Sequence, residues 1–279
     1  MSVRLPALRV LQVGVLAATV LTTTACVKDL RPKRFAESAT AATRGRAVLE
    51  EAARAHGLDA WREADQITVE MTDTWNSGLF RSMMTPLPKN TAEVRYTFEV
   101  GSGFTGKGVF EAPGKAPTTF GVAGTPAEAS FWGEAEHRKR MRGLQARIYA
   151  PSIQYFTEFP FRILEAETVS YLDTVDWQGR PHDRVLATWG AKPSMKADQY
   201  VVYVDRETHF ISLVHYTVRD AGPPMASAIS FADVREVDGL YLPHTQVVGF
   251  KGKDRLRQVH RFDVSRITVT SGDGQVALP

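Results

Sequence analysis

The side chain with the clearest chemical potential is the thiol of Cys26, because it is the single cysteine of the 279-residue chain. A lone cysteine cannot form a disulfide within its own chain, and a free thiol is often buried as a small apolar group. Cys26 instead lies near the start of the chain, directly after the small residues Thr24 and Ala25. We therefore expect this thiol to be chemically modified rather than packed in a core.

An apolar leader precedes this cysteine. Arg4 and Arg9 give it a positive start, and residues 10–21 are mostly apolar. The apolar run is shorter than the roughly 20 residues of a membrane span, and its layout is typical of a secretory signal peptide. A cysteine just after the cleavage site resembles a bacterial lipoprotein signal, although Thr23 stands where leucine is usual. The resemblance implies that residues 1–25 are removed and that Cys26 carries acyl chains such as palmitate.

Acylation of Cys26 would decide where the protein works. Each buried methylene contributes about 0.8 kcal/mol, so the three chains typical of such proteins hold a polypeptide on a membrane essentially permanently. Val27, rather than aspartate, follows the cysteine, and this resembles the pattern of an outer-membrane destination. We expect a lipid-anchored protein of the bacterial cell envelope, with its body facing the periplasm.

Catalytic patterns do not emerge elsewhere in the sequence. It contains no His-Glu-x-x-His helix, no Gly-Lys-Ser/Thr phosphate loop and no Gly-x-Ser-x-Gly elbow. His209 and His215 would share one strand face about 20 Å apart, too far for a common metal ion. His182 and Asp183 would face opposite ways as strand neighbours. The sequence therefore predicts no enzymatic activity, no metal and no cofactor.

Charge and composition set the class of partner. The net charge of +3 includes Arg4 and Arg9 and falls to +1 when the leader is removed. A nearly neutral body argues against nucleic-acid binding, which uses a strong basic excess. Residues 26–43 contain four basic side chains and a proline, and we expect a lipidated flexible tether there. Its cations either rest on anionic lipid head groups or are simply solvated.

Residues 44–279 are expected to form one domain, and the chain pattern within it is mostly that of strands. Residues 44–56 have helical spacing and end at Gly57, a plausible C-terminal cap. Alternation of apolar and polar residues predicts strands at 66–75, 91–100, 106–112, 118–122, 167–176, 182–189, 199–204, 209–218, 226–237, 241–250 and 256–269. Around ten strands with few helices indicate an α+β fold, a large antiparallel sheet with helices on one side.

The middle of the chain has a different character. Residues 134–149 have helical spacing, with His137, Met141, Leu144 and Ile148 on one stripe, and a basic run at 138–140. That run fits either a lipid head group or phosphate, or a solvated helix face.

Two apolar segments leave alternatives open. The aromatic residues between 155 and 161 either line a ligand cleft or plug the sheet. Met83, Met84 and Leu87, close to two prolines, form either an adaptable apolar lip or an ordinary buried loop anchor.

Five segments carry a resemblance to a known group. They are residues 55–61 (AHGLDAW), 155–162 (YFTEFPFR), 177–185 (WQGRPHDRV), 203–208 (YVDRET) and 235–244 (REVDGLYLPH). Together they resemble the half-barrel proteins related to outer-membrane lipoprotein-sorting factors, the LolA/LolB-like fold. The resemblance covers most of the chain after the tether. It implies a curved antiparallel sheet wrapped partly around helices, a half β-barrel with an apolar concavity, and it brings no catalytic residues.

The resemblance leads to a functional hypothesis. We expect an anchored protein that binds an acyl chain or another apolar ligand in the concavity, in a role such as lipid or lipoprotein trafficking. Candidate lining residues are Trp75, Phe98, Phe110, Trp132, Met141, Leu144, Ile148, Phe156 and Phe159. The alternative is a non-enzymatic structural or interaction lipoprotein of the envelope, with a filled core and a protein partner on an exposed edge strand.

Overall fold

The structure is a computed structural model, and it describes most of the chain. The described residues are 29–33, 35, 37–85, 87, 89–101, 103–133, 138–139, 144–190, 197–218, 225–252 and 255–272. The predicted signal peptide and Cys26 lie outside these ranges, as do the side chains of residues 125–147. The predicted division of the chain into leader, tether and single domain stays a prediction.

One twelve-stranded sheet dominates the described part of the chain. Its order is β5-β4-β3-β2-β1-β12-β11-β10-β9-β8-β7-β6, so β5 and β6 are the two edges and the sheet does not close. The strands are β1 (Gln66–Trp75), β2 (Thr91–Glu99), β3 (Phe104–Glu111), β4 (Thr118–Gly133), β5 (Arg138–Lys139), β6 (Thr168–Trp177), β7 (Arg180–Thr188), β8 (Gln199–Asp205), β9 (Ile211–Val218), β10 (Met225–Val237), β11 (Leu240–Lys251) and β12 (Leu256–Thr270). The α+β class and the curved antiparallel sheet predicted from the sequence are confirmed.

The helices cover one face of this sheet. They are α1 (Ala39–Ala55), α2 (Leu58–Glu63), α3 (Gly78–Met84), α4 (Leu144–Thr157) and α5 (Phe159–Arg162), and a short 3-10 helix follows at Ile163–Glu165. No helix within the described ranges is both long and apolar enough to cross a membrane. We call the helix-covered side of the sheet the inner face and the other side the outer face.

Two helix boundaries differ from the sequence prediction. Helix α1 begins at Ala39 rather than at residue 44, because the hydroxyl of Ser38 accepts a hydrogen bond from the amide of Ala41 and caps the helix. The predicted helix at 134–149 is wrong in its first part, since Arg138 and Lys139 pair with β4 as β5. Helix α4 continues instead to Thr157 with Pro151 inside it.

Turn residues connect the strands as the sequence indicated. Asp238 and Gly239 both have positive φ, 51° and 81°, as a tight two-residue hairpin between β10 and β11 requires. Asp205 closes the turn between β8 and β9, because its Oδ1 accepts hydrogen bonds from the amides of Glu207 and Thr208. His209 lies in this turn rather than in β9, so the predicted strand face shared by His209 and His215 is wrong.

Alternation along each strand divides the buried side chains between the two faces. In β1, for example, Ile67, Val69 and Met71 point inward while their neighbours are half-exposed. Most inner-face residues form two clusters, a first under α4 on strands β1 to β4, β11 and β12, and a second under α1 and α5 on strands β6 to β10. The helices therefore cover two separate halves of one continuous sheet.

The outer face carries a smaller apolar cluster that is covered by the start of the described chain. Trp177, Tyr203 and Leu213 are buried there. Leu30 and Phe35 pack against this cluster, and the amide of Leu30 donates a 2.7 Å hydrogen bond to Oε1 of Gln199. Leu30 and Phe35 thus lie against the sheet, within the stretch where the sequence indicated a flexible tether.

Gly45 shows how closely α1 approaches β6. A Cβ added to this helical glycine would lie 2.7 Å from the backbone nitrogen of Tyr171. In an ordinary helix a change to alanine gains about 1 kcal/mol, whereas overpacking costs roughly 1–3 kcal/mol. We expect Gly45→Ala to lower the free energy of unfolding by about 1 kcal/mol, measured by urea denaturation.

Gly78 provides the matched control for that substitution. A Cβ on Gly78 would meet only Oδ1 of Asn90, at 3.5 Å. Gly78→Ala should therefore leave stability unchanged or raise it. A Gly45→Ala protein that is more stable than the parent would contradict the close approach of α1 and β6.

Candidate functional site

The two inner-face clusters meet along β11 in the middle of the sheet. Val248 of β11 packs against both clusters, and Leu164 does the same from the helix side. Phe231 of β10 lies beside Gln246, and Phe262 of β12 lies on its other side. We call the strip formed by Phe231, Gln246, Val248, His260 and Phe262 the central seam.

Exposure along β11 indicates from which end the seam can be reached. Residues of this strand that share the inner face become progressively more exposed, from Leu242 (0%) through His244 (5%) and Gln246 (6%) to Phe250 (37%). Val248, between the last two, is partly buried. Exposure along the inner face of β11 therefore rises toward the end at which the strand finishes.

A buried carboxylate lies beside the seam. Asp73 is fully buried, and its Oδ2 accepts hydrogen bonds from Trp75 Nε1 at 2.9 Å and from Tyr149 Oη at 3.1 Å. Nδ1 of His260 lies 3.3 Å from the other oxygen, Oδ1. The indole of Trp75 stacks on the His260 ring at a centroid distance of 4.0 Å. These contacts fix one polar point next to an otherwise apolar strip.

Burial changes the ionisation of the phenol in this group. The pKa of Tyr149 is raised well above its ordinary value, first by burial and then by the neighbouring Asp73 carboxylate. Tyr149 is therefore a neutral hydrogen-bond donor at physiological pH. The arrangement orients Trp75, Tyr149 and His260 around one buried carboxylate.

Aromatic rings from α4, α5 and strands β8 to β10 fill the second cluster. The ring of Phe156 lies 5.1 Å from that of Tyr216, and the ring of Phe159 lies 5.9 Å from that of Tyr200 and 6.4 Å from that of Phe231. Burial raises the pKa of Tyr216 to about 12. From the sequence, the aromatic segment is expected either to line a ligand cleft or to plug the sheet. Phe156 and Phe159 pack against the sheet as the second interpretation describes.

The nine predicted lining residues are distributed over both clusters. Trp75, Phe98 and Phe110 are buried in the first cluster, and Phe156 and Phe159 are buried in the second. Ile148 is half-buried, and Trp132, Met141 and Leu144 have side chains outside the described part. Trp75, through its contact with His260, lies next to the seam. Whether these residues contact a ligand stays a prediction.

An exposed apolar surface marks the open end of the seam. Leu79 (70% exposed), Met83 (54%) and Phe80 (37%) lie on α3, and the ring of Phe80 is 6.4 Å from that of Phe250. We call these four residues the lip. Met83 matches the predicted apolar lip, whereas Leu87 is buried as an ordinary loop anchor.

Sequence reasoning missed helix α3, and the signal for it was present. Ser77 caps the helix, since its hydroxyl accepts from the amide of Phe80 at 3.4 Å. Leu79, Phe80 and Met83 follow at helical spacing, but the segment has only seven residues and lies between prolines and a glycine turn. A short helix between two strands is easily taken for a loop.

Two further histidines, His182 and His209, lie near carboxylates. His182 is buried with Nε2 3.8 Å from Oδ2 of Asp205, and Nε2 of His209 lies 3.5 Å from Glu51 Oε1. Over the part of the chain that can be described, no group of three or more His, Cys, Asp or Glu residues is placed to hold a metal ion.

Comparison with solved structures defines the class of fold. The chain is similar to a DUF1329 family protein from Desulfovibrio piger, with a TM-score of 0.51, 14% identity, and coverage of 84% of this chain and 95% of that one. It is also similar to an outer membrane lipoprotein-sorting protein domain from Vibrio parahaemolyticus (TM-score 0.49, 13% identity, 83% and 94% covered). A LolA superfamily protein from Nitrosomonas europaea is similar with a TM-score of 0.46 and 9% identity, over 82% of this chain and 94% of that one.

At these identities the comparisons show a shared fold and nothing more. No protein-family model matches the chain, and no curated protein sequence matches it. The architecture is that of the LolA/LolB-like half-barrels, which confirms the resemblance inferred from the sequence.

Proposed function

We propose that this chain is a lipid-anchored protein of the bacterial envelope that holds an acyl chain or another apolar ligand along the central seam. The ligand enters at the lip and lies between the two inner-face clusters. The observation that carries this proposal is the rise in exposure along the inner face of β11, which ends in the apolar lip. Sites for apolar ligands combine an apolar lining with a few placed polar groups.

The polar point beside the seam suits an amphiphilic ligand. His260 and Trp75 are held in one orientation by the buried Asp73 carboxylate. Gln246 lies on the inner face between Phe231 and Phe262. An acyl chain would contact the aromatic and valine side chains, while its polar end would reach the histidine or the amide.

The anchoring part of the proposal rests on the sequence. The charged start, the short apolar run and the position of Cys26 support acylation of its thiol. The fold likeness to an outer membrane lipoprotein-sorting protein domain is consistent with an envelope location. A non-catalytic carrier role agrees with the surroundings of the described histidines.

The test is lipid analysis of a secreted Cys26→Ser protein. We expect organic extracts of the purified protein to contain lipid, and we expect a fluorescent fatty acid to bind it. Val248→Trp should fill the seam and reduce bound lipid several-fold. Val247→Trp is the matched control, since this neighbour points to the outer face opposite Arg261. A folded parent protein with no lipid and no fatty-acid binding would contradict the proposal.

A second function is favoured by the packing of the two clusters. Phe98, Phe120 and Phe159 are fully buried by other side chains, so both halves of the inner face are filled. A structural or interaction lipoprotein with a protein partner would need no further space. In that case the seam would carry no lipid, Val248→Trp would change only stability, and cross-linking on intact membranes would capture a partner in a fixed ratio.

A further inference from the structure

The position of Leu30, near the start of the described chain, indicates which end of the sheet lies near the proposed anchor. Gln199 is the first residue of β8, and it holds the amide of Leu30 through its side chain. Four peptide steps separate Leu30 from Cys26, and these span at most about 14 Å when fully extended. The acylated thiol therefore cannot lie far from the rim at which β8 begins.

The lip lies on that same rim. Because neighbouring strands are antiparallel, the end of β11 at Phe250 and the start of β8 at Gln199 lie at one end of the sheet. Three strand spacings separate them, which is about 14 Å across the sheet. Helix α3 follows Trp75 at the end of β1 and reaches the same rim. We call this end of the sheet the anchor rim.

Charge also distinguishes the two ends. Exposed cations at the anchor rim are Lys89, Lys115, Arg255 and Arg257, next to the half-buried Arg81, while Glu93, Glu111, Glu165 and Glu167 are exposed acids there, next to the half-buried Asp198. Exposed acids at the opposite rim are Asp59, Glu63, Asp176, Glu207, Glu236 and Asp238, next to Arg62, Arg180 and Arg206. Anionic lipid head groups attract the first surface more than the second.

We infer that the anchor rim rests on the bilayer that holds Cys26, with the lip inserted among the lipid head groups and the seam opening toward the membrane. This inference rests on the proposed lipid anchor. An exposed apolar patch flanked by cations, within reach of an acylated residue, has the composition of a membrane-contacting surface. The orientation lets a membrane lipid enter the seam without crossing water.

The test places a fluorescent probe on the lip of the lipid-anchored chain. Cys26 is the single cysteine, and its thiol is blocked by acylation, so Met83→Cys supplies one free thiol for labelling. The protein is reconstituted in vesicles of phosphatidylethanolamine and phosphatidylglycerol. We expect the emission of the probe to shift to shorter wavelength and to be quenched by nitroxide-labelled lipid.

Tyr241→Cys is the matched control. Tyr241 is a large exposed side chain at the start of β11, on the opposite rim. A probe there should keep its aqueous emission in the same vesicles. Equal responses at both positions, or an aqueous probe at residue 83 on protein that floats with vesicles, would overturn the inference.

Other occupants of the lip give different results. A probe at residue 83 that is shielded from iodide but not quenched by nitroxide lipids would mean that a bound amphiphile or a second copy covers the lip, which also overturns the inference. Failure of the anchor is seen separately, as an unacylated N-terminus and loss of flotation, and it removes both proposals. The lipid content of the secreted Cys26→Ser protein tests ligand binding along the seam and does not depend on the anchor or on the orientation of the rim.

Discussion

Arg162→Met is expected to lower the free energy of unfolding by about 3–5 kcal/mol, because it leaves a buried carboxylate without its charge partner. Arg162 and Glu158 are both buried, and Nε of the arginine donates to Oε2 of the glutamate at 2.6 Å. Methionine keeps most of the volume of the arginine stem, so the lost charge dominates the effect. Urea denaturation followed by circular dichroism measures the change.

The expected loss is large because this pair joins the helices to the sheet. Arg162 also donates to the carbonyls of Gly101 and Gly103 in the turn between β2 and β3, while Oε1 of Glu158 accepts from the amide of Gly101. Gln154 donates to the carbonyl of Glu99 as well as to Glu158. Removing the guanidinium thus leaves two turn carbonyls without that donor and a buried anion.

A double change separates the charge from the packing. Adding Glu158→Gln to Arg162→Met removes the buried anion, so the double variant should be less destabilised than the single one. Arg261→Met is the surface control, since the pair of Arg261 and Asp263 is roughly half exposed and such pairs contribute about 0–1 kcal/mol. Equal losses for Arg162→Met and Arg261→Met would contradict a buried clamp.

The strands could be predicted from the sequence because each has one buried face. Alternation located β1 at residues 66–75 as observed, and β12 within one residue of its end. The pair Asp238-Gly239 specified its hairpin through backbone conformation alone. Such local signals act over a few residues, so a single sequence contains them.

Other elements depend on contacts that are distant in the sequence. The side-chain stripe of residues 134–149 fits a helix, but pairing with β4 turns Arg138 and Lys139 into an edge strand. Pro151 is expected to end a helix, but α4 continues through it to Thr157. Tertiary packing overrides local preference at both places.

The candidate site was the least predictable part. Aromatic residues such as Phe98 and Phe159 are conspicuous in the sequence, and the fold buries them as packing. The seam and the lip instead depend on where two clusters meet and on which helix remains uncovered. Phe250 and Phe80 are 170 residues apart in the chain but neighbours in space, and no local pattern relates them.

A second large effect is expected from pH, through His56. This histidine is buried where α1 meets the ends of β9 and β11, with Nδ1 2.7 Å from the carbonyl of Tyr241. The amide of Ile211 donates to Nε2 at 3.1 Å, so Nε2 is an acceptor and the ring is neutral. Burial lowers the pKa of His56 from 6.5 to about 4, and the hydrogen bond to Tyr241 opposes this only in part.

The direction of the pH effect follows from these two values. The unfolded chain takes up a proton on His56 near pH 6.5, whereas the folded protein does so only near pH 4. Stability from the neutral ring is therefore complete above the unfolded pKa and is lost as pH falls through this window. Between pH 7 and pH 4 the free energy of unfolding should fall by about 3 kcal/mol from this group.

His56→Asn isolates that contribution. Asparagine can still donate to the carbonyl of Tyr241 but does not titrate, so the variant should be less stable at pH 7 and should lose less stability on acidification. The difference between the two stability curves cancels the carboxylates that titrate in both proteins. His209→Asn is the control for removal of a histidine that is not buried, since the side chain of His209 is 40% exposed. Parallel curves for the parent and His56→Asn would mean that the His56 ring takes up its proton equally in the folded and unfolded chains.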